Sequence, residues 1–344
     1  MTQARWLGIL IASTVLLFIL SLALGSIAIP LEDIGRILMG QSPQTPSWGD
    51  IVIQIRLPKA VTAFFAGASL GVAGALMQTF FRNPLAGPFI LGVSAGASLG
   101  VAMVVLITGT LGGALLAGSS LLGDLGMTAS ASLGATLSLL VVLFFARRIH
   151  SNVTLLLVGI MLASFTSSLV SILLHYSIPE RIQAYIRWTF GSFGGVTLTQ
   201  LYLFIPILSF GLLLAFLQSK SLNALLLGED YATSLGVHIT RARLAILIAA
   251  AILGGTVTAY CGPIAFLGLA TPHLCRGLFQ TSDHRILFFP LMLMGGSLAL
   301  LTGLVASLPG TPFALPVNAV TALIGVPIVL RILLAKQRTV SMFQ

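Results

Sequence analysis

The sequence predicts an all-α polytopic membrane protein with about ten transmembrane helices. Three observations carry that reading. Of its 344 residues 57% are hydrophobic and only 7% charged, where a soluble domain carries roughly a quarter of its residues charged. Several apolar runs reach the roughly 20 residues that a helix needs to cross a bilayer. The period-two alternation of a membrane β-strand is absent, which argues against a barrel.

Taken in order, the spans read 6–29, 58–79, 88–107, 127–146, 154–175, 197–218, 243–260, 262–275, 286–306 and 314–335. The run that follows Arg5 is too long for the apolar core of a signal peptide and reads as an uncleaved first span. The segment 30–57 reads as a polar loop whose SPQTPSWGD stretch does not continue a helix. Pro58 then suits the first turn of the second span, where its missing N–H is not needed. Spans two and three place Gly67, Gly71, Gly74 and Gly92, Gly96, Gly100 three or four residues apart, the spacing that lets membrane helices approach closely. The eighth span is short and has to be tilted or partly re-entrant. With both termini on the cytoplasmic side, 12 of the 17 basic residues fall inside, which is the positive-inside bias. The net charge of +9 is therefore topological, and nucleic acid drops out as a partner. Cys261 and Cys275 lie in apolar sequence and imply no disulfide framework.

The stretch Lys220 to Arg243, KSLNALLLGEDYATSLGVHITRAR, interrupts this apolar text with five charges. It reads as a short helix through Leu227, a stop at Gly228, and a second helix opened by Glu229 and Asp230 and closed by Gly236. Ala232, Leu235 and Val237 give the second piece an apolar edge. A loop of this kind is either a tether or a docking surface for a soluble partner. At the other side of the membrane Arg56 and Lys59 flank Leu57-Pro58. They serve either as anchors among lipid headgroups or as contacts for an acidic partner. Arg181 and Arg187, in SIPERIQAYIRW, carry the same two readings.

Several long strings resemble the FecCD family, the membrane permeases of ABC importers for iron-siderophores, haem and vitamin B12. They are RLPKAVTAFFAGASLGVAGALMQTFFRNPLAGPFILGVSAGASLG, GEDYATSLGV, CGPIAFLGLATPHLCR and LPVNAVTALIGVPIVLRILL, in register over nearly the whole chain. The resemblance implies one transmembrane permease domain over residues 1–344, of type II ABC importer architecture, in a bacterial inner membrane. It implies a second permease copy, two ABC ATPases on the cytoplasmic side and a substrate-binding protein outside. It makes 220–243 the coupling loop, with Leu227, Gly228, Glu229, Asp230, Ala232, Leu235 and Gly236 facing the ATPase. Asn152 and Val153 fall where relatives keep a cytoplasmic gate. Relatives carry Arg where Lys59 stands, and commonly a further Arg, an Asp and a Glu where Ser307, Gly303 and Ala314 stand. Arg181 or Arg187 then takes over the lost cationic contact.

The chain holds no GxxxxGK[ST] string, so ATP and magnesium belong to the partner ATPase and no cofactor is expected here. No nucleophile–base pair or carboxylate couple marks a catalytic site. No Asp, Glu or Lys stands within a span interior, which argues against the alternative of an ion-coupled secondary transporter. The five histidines form no HxxxH or Cys/His cluster, so no metal site is expected. Ser164, Ser167, Ser168 and Ser171 of the fifth span either line a polar pathway or bond between helices.

Overall fold

The computed structural model describes residues 3–107, 121–149, 151–307 and 314–341, and every regular element among them is helical. In chain order these are α1 (Gln3–Ala23), α2 (Leu31–Leu38), α3 (Pro46–Asp50), α4 (Leu57–Phe80), α5 (Val93–Ala102), α6 (Leu121–Arg148), α7 (Asn152–His175), α8 (Pro179–Thr189) and α9 (Leu198–Leu217). They continue with α10 (Ser219–Leu227), α11 (Glu229–Ser234), α12 (Ile239–Cys261), α13 (Leu267–Phe279), α14 (His284–Ala306) and α15 (Val317–Ser341). Among the described residues seven helices are long and apolar enough to cross a membrane, and Val93–Leu106 and Val317–Arg331 are shorter apolar helical segments. His150 lies outside the described residues.

α4 is the axis. Every residue from Ala66 to Phe80 is buried, and α14, α13, α12 and α9 all pack around it. Small residues make this possible. A Cβ added to Gly67 would stand 2.1 Å from the carbonyl oxygen of Gly295 on α14, and one on Gly74 would stand 1.7 Å from that of Gly268 on α13. The backbones touch, as membrane helices do where no hydrophobic drive separates lipid from protein. α5 and α6 repeat the arrangement, Gly96 facing Gly134 and Gly100 facing Ser130.

Two sequence expectations change, and that of a short eighth span takes definite form. The stretch Pro46–Asp50 is helical and runs through a π-helical turn, Ile51–Arg56, straight into α4. Pro58 is thus inside a continuous helix. The wide turn before it skips a step, Leu57 N–H donating to Val52 O, and so absorbs the interruption. The first span ends at Ala23 and not near Ile29. The Arg56 guanidinium takes the carbonyls of Leu22 (2.7 Å) and Ala23 (2.8 Å) and so closes the α1 ladder. The short eighth span is a half-helix, α13, roughly 20 Å long by the helical rise. It is entered through a non-helical stretch with Gly262 at φ 75° and Phe266 at φ 65°.

Non-helical backbone at membrane depth survives only where protein satisfies it. Asn318, in the first turn of α15, does so. Its Oδ1 accepts from Ala265 N (2.9 Å), its Nδ2 donates to Thr189 O (3.4 Å) and its N–H donates to Phe190 O (3.0 Å).

The tight approach at α4 is testable. Gly74→Val should lower thermal stability in detergent by about 2 kcal/mol or more through overpacking. Gly8→Val, where an added Cβ meets nothing within 4 Å, should leave it unchanged.

Candidate functional site

The polar chemistry of the chain collects at the two ends of α4. At its C-terminal end stands the charged loop, folded as α10 and α11 about Gly228. Gly228 has φ 125° and ψ 154°, a conformation essentially reserved for glycine. Gly236, at φ 82°, closes the second piece. Leu227 (66% exposed) and Leu235 (58%) point outward, joined by Leu226 and Tyr231. Asp230 is exposed and Glu229 half-buried. Ala232 is fully buried within the chain, so it supports α11 from inside and does not supply outer contact surface. The sequence reading missed Leu226 and Tyr231. Their apolar character in a charged loop was visible, but which side of so short a helix faces out was not.

Beneath the loop, the segment Gln78–Pro84 ties helix ends together. Arg276 donates to Gln78 Oε1 (2.7 Å), and Gln78 donates to Leu269 O (3.3 Å). Thr79 Oγ1 pairs with His284 Nε2 (2.8 Å), and His273 Nε2 lies 2.8 Å from Pro84 O. Arg82 donates to Leu225 O (3.3 Å) on α10. Asn152 Nδ2 donates to Phe80 O (3.2 Å) and to Glu229 Oε1 (3.0 Å), which brings the first residue of α7 onto the loop. Val153 beside it is 70% exposed. Asn223 of α10 donates to Asp283 Oδ1 (2.7 Å) and accepts from His284 N (2.9 Å). That Asn223 bond, then the Arg285 N–H, hold the Asp283 carboxyl below the usual aspartate range. Asn223 and Gln78 were invisible as site residues beforehand, because each becomes polar glue only once distant helices meet.

At the other end of α4, Arg56 is 6% exposed and a third carbonyl, that of Ile27, also accepts from it. It therefore holds the end of α1 rather than standing at the surface. Lys59 Nζ donates to Ser307 Oγ. Both cations line a cavity of about 430 Å³ between α1, α4 and α14, whose lining includes Ile51, Ile55 and Leu304 and no carboxylate. Arg181 donates to Leu106 O (3.0 Å), and its buried Nε meets no acceptor among the described residues. Arg187 alone of the four cations is exposed.

Ser164, Ser167, Ser168 and Ser171 are all exposed on α7, together with Met161 and Phe165. Ser168 and Ser171 donate to carbonyls four residues back (2.9 and 3.0 Å), so both turn acceptor lone pairs outward. Among the described residues no three of His, Cys, Asp and Glu come together as a metal site. His175 stacks edge-on with Tyr176.

A model of the FecCD transport family matches residues 13–335. The vitamin B12 import system permease protein BtuC of Shigella boydii is 35% identical over 334 residues, covering 97% of this chain and 96% of its own length. An uncharacterized ABC transporter permease protein, YvrB of Bacillus subtilis, is 32% identical over 329 residues, covering 93% of this chain and 90% of its own. A solved ABC transporter assigned to the metal-chelate type, in an inward-facing conformation, superimposes with a TM-score of 0.82 at 28% identity. That match covers 96% of this chain and 99% of the other.

Arg56→Gln should lower thermal stability in detergent by about 2–3 kcal/mol, since two buried carbonyls and one part-buried one lose a charged donor. Lys59→Gln, which loses one hydroxyl partner, should cost less than about 1 kcal/mol by the same measurement.

Proposed function

Because this chain belongs to the FecCD transport family, we propose that it moves a large metal chelate, an iron-siderophore, haem or vitamin B12, into the cytoplasm. It is a multi-pass ABC importer permease of the FecCD and BtuC type, a transport subunit and not an enzyme. The family implies ATPase and substrate-binding partners. In our reading two copies of this chain form the pathway, two ATPases dock on the cytoplasmic side, and a binding protein delivers substrate from outside. Both termini are then cytoplasmic.

The observation that carries the reading is the folded loop at 220–243. It exposes Leu226, Leu227, Tyr231 and Leu235, while its hidden side is bonded to the ends of α4 and α7. A tether needs neither feature. Exposed apolar side chains rimmed by charge suit a protein partner. The substrate class is supported by the relatives named for vitamin B12 and by the metal-chelate neighbour. The exposed face of α7, with its serine acceptors, suits a pathway wall between two copies, with Asn152 and Val153 at its cytoplasmic end. For binding-protein docking, Arg187 and Lys59 are the better placed cations, and Arg56 and Arg181 serve as their structural support.

Purified alone and reconstituted, the chain should show neither ATP hydrolysis nor uptake. With its ATPase and binding protein it should accumulate one of radiolabelled cyanocobalamin, a ferric siderophore or haem, and only with ATP inside. Uptake by the lone chain on an ion gradient would overturn the reading.

Leu227→Asp and Leu235→Asp should leave expression and melting temperature intact while weakening ATPase association at least about tenfold, or ~1.4 kcal/mol. Ala232→Asp should instead destabilise the chain itself, because it buries an unpaired charge. Co-purification yield and melting curves separate the two effects.

A further inference from the structure

Beyond the Gly228 bend, the docking loop is hydrogen-bonded to a membrane-spanning helix through the Glu229 side chain. Ahead of the bend, Leu225 O is pinned by Arg82 (3.3 Å), from the turn that follows α4. Beyond it, Glu229 Oε1 is pinned by Asn152 Nδ2 (3.0 Å), on the first turn of α7. The bend itself adopts the glycine-only conformation, which leaves the two pieces joined by a single unusual residue.

The Asn152 amide has one orientation that works. Its NH₂ faces two acceptors, Phe80 O at 3.2 Å and Glu229 Oε1 at 3.0 Å, and its buried Oδ1 meets no donor among the described residues. Flipping the amide would set oxygen against both acceptors and leave two donors unmet. The surroundings are built to keep this pair in place. Arg243, from the start of α12, donates to Ile149 O (3.2 Å), lies 5.7 Å over the Phe80 ring, and feels the Glu229 charge. The ends of α4, α6, α7, α11 and α12 therefore meet within one cluster.

We propose that the Glu229–Asn152 hydrogen bond is a mechanical tie, making α11 and the first turn of α7 move as one body about Gly228. This rests on the docking reading above and adds what happens after docking. An ATPase that shifts α11 then drags the N-terminus of α7 with it, at the expense of the Asn152 bond to Phe80 O at the end of α4. Movement that reaches α7 by this route acts directly on Val153 and on the exposed face above it. Asn152 and Glu229 are positioning residues in this scheme, since neither needs to touch the transported molecule.

The test uses the full complex in proteoliposomes. Cysteines placed at Val153 and Thr233, both exposed, carry spin labels, and the native Cys261 and Cys275 are buried. In the otherwise wild-type complex the inter-label distance should stay constant between the nucleotide-free state and a non-hydrolysable ATP analogue. In Glu229→Ala the distance should broaden and become nucleotide-dependent, and substrate imported per ATP hydrolysed should fall at least about fivefold. That corresponds to roughly 1 kcal/mol of lost coupling. Glu229→Gln keeps an acceptor oxygen and should retain both the fixed distance and the coupling ratio. Asn152→Asp, which replaces the donor with a second carboxylate, should behave like Glu229→Ala. A Glu229→Ala or Asn152→Asp complex with wild-type distance and ratio would overturn the tie. So would a Glu229→Gln complex that fails as Glu229→Ala does, because charge and not the hydrogen bond would then be responsible. Failure of the docking reading is seen separately, as a wild-type chain that binds no ATPase.

Discussion

Backbone contact along α4 is the constraint from which the remaining architecture follows. With Gly67 against Gly295 and Gly74 against Gly268, the axis cannot rotate or slide without steric collision, and four neighbours share its position. Lipid offers these helices no less favourable an environment than one another, so close packing has to supply the holding force. The polar groups are consequently driven to the two ends of the axis. There they bond neighbouring helix ends to residues 56–59 on one side and 78–84 on the other. A close-packed centre with polar knots at both rims is a frame to which the peripheral helices α7 and α11 are fastened by side-chain bonds.

The ends differ in kind. At the Arg56 end the cations donate to carbonyls at and just beyond helix ends: Leu22, Ala23 and Ile27 for Arg56, and Leu106 for Arg181. At the Phe80 end the bonds run between side chains and helix ends that are distant in sequence, such as Asn223 with Asp283 and Asn152 with Glu229. The first pattern closes structure locally. The second connects elements that lie far apart in the chain.

Much of this was readable from the chain, because the signals were local. The glycine spacings of spans two and three marked real backbone contacts, and Gly228 and Gly236 marked the true limits of α11. The apolar runs located the helices. What escaped depended on long-range company. Pro46-Ser47-Trp48-Gly49-Asp50 reads as a turn by composition. It nevertheless forms helix as the leading end of the α4 rod, with Trp48 packed against the core. Arg56 reads as a surface charge until the end of α1 is placed beside it. Ala232 and Leu235 sit on one apolar edge in the sequence, and only the fold sends one inward and the other outward. The FecCD strings added the type II importer architecture and the expected partners, which no local periodicity contains.

The break between α12 and α13 has a consequence for biogenesis. The non-helical stretch Gly262–Phe266 needs Asn318, and the Ala265 N–H waits for an acceptor 53 residues further along the chain. At roughly 5–20 residues per second of synthesis, that donor waits several seconds inside or beside the translocon before its partner exists. Phe266 is held in a left-handed conformation, with its side chain against Gly325 of the same late helix. The half-helix is therefore completed last, when α15 inserts. A ribosome that stalls within that interval leaves a nascent chain whose Ala265 N–H lacks its Asn318 acceptor.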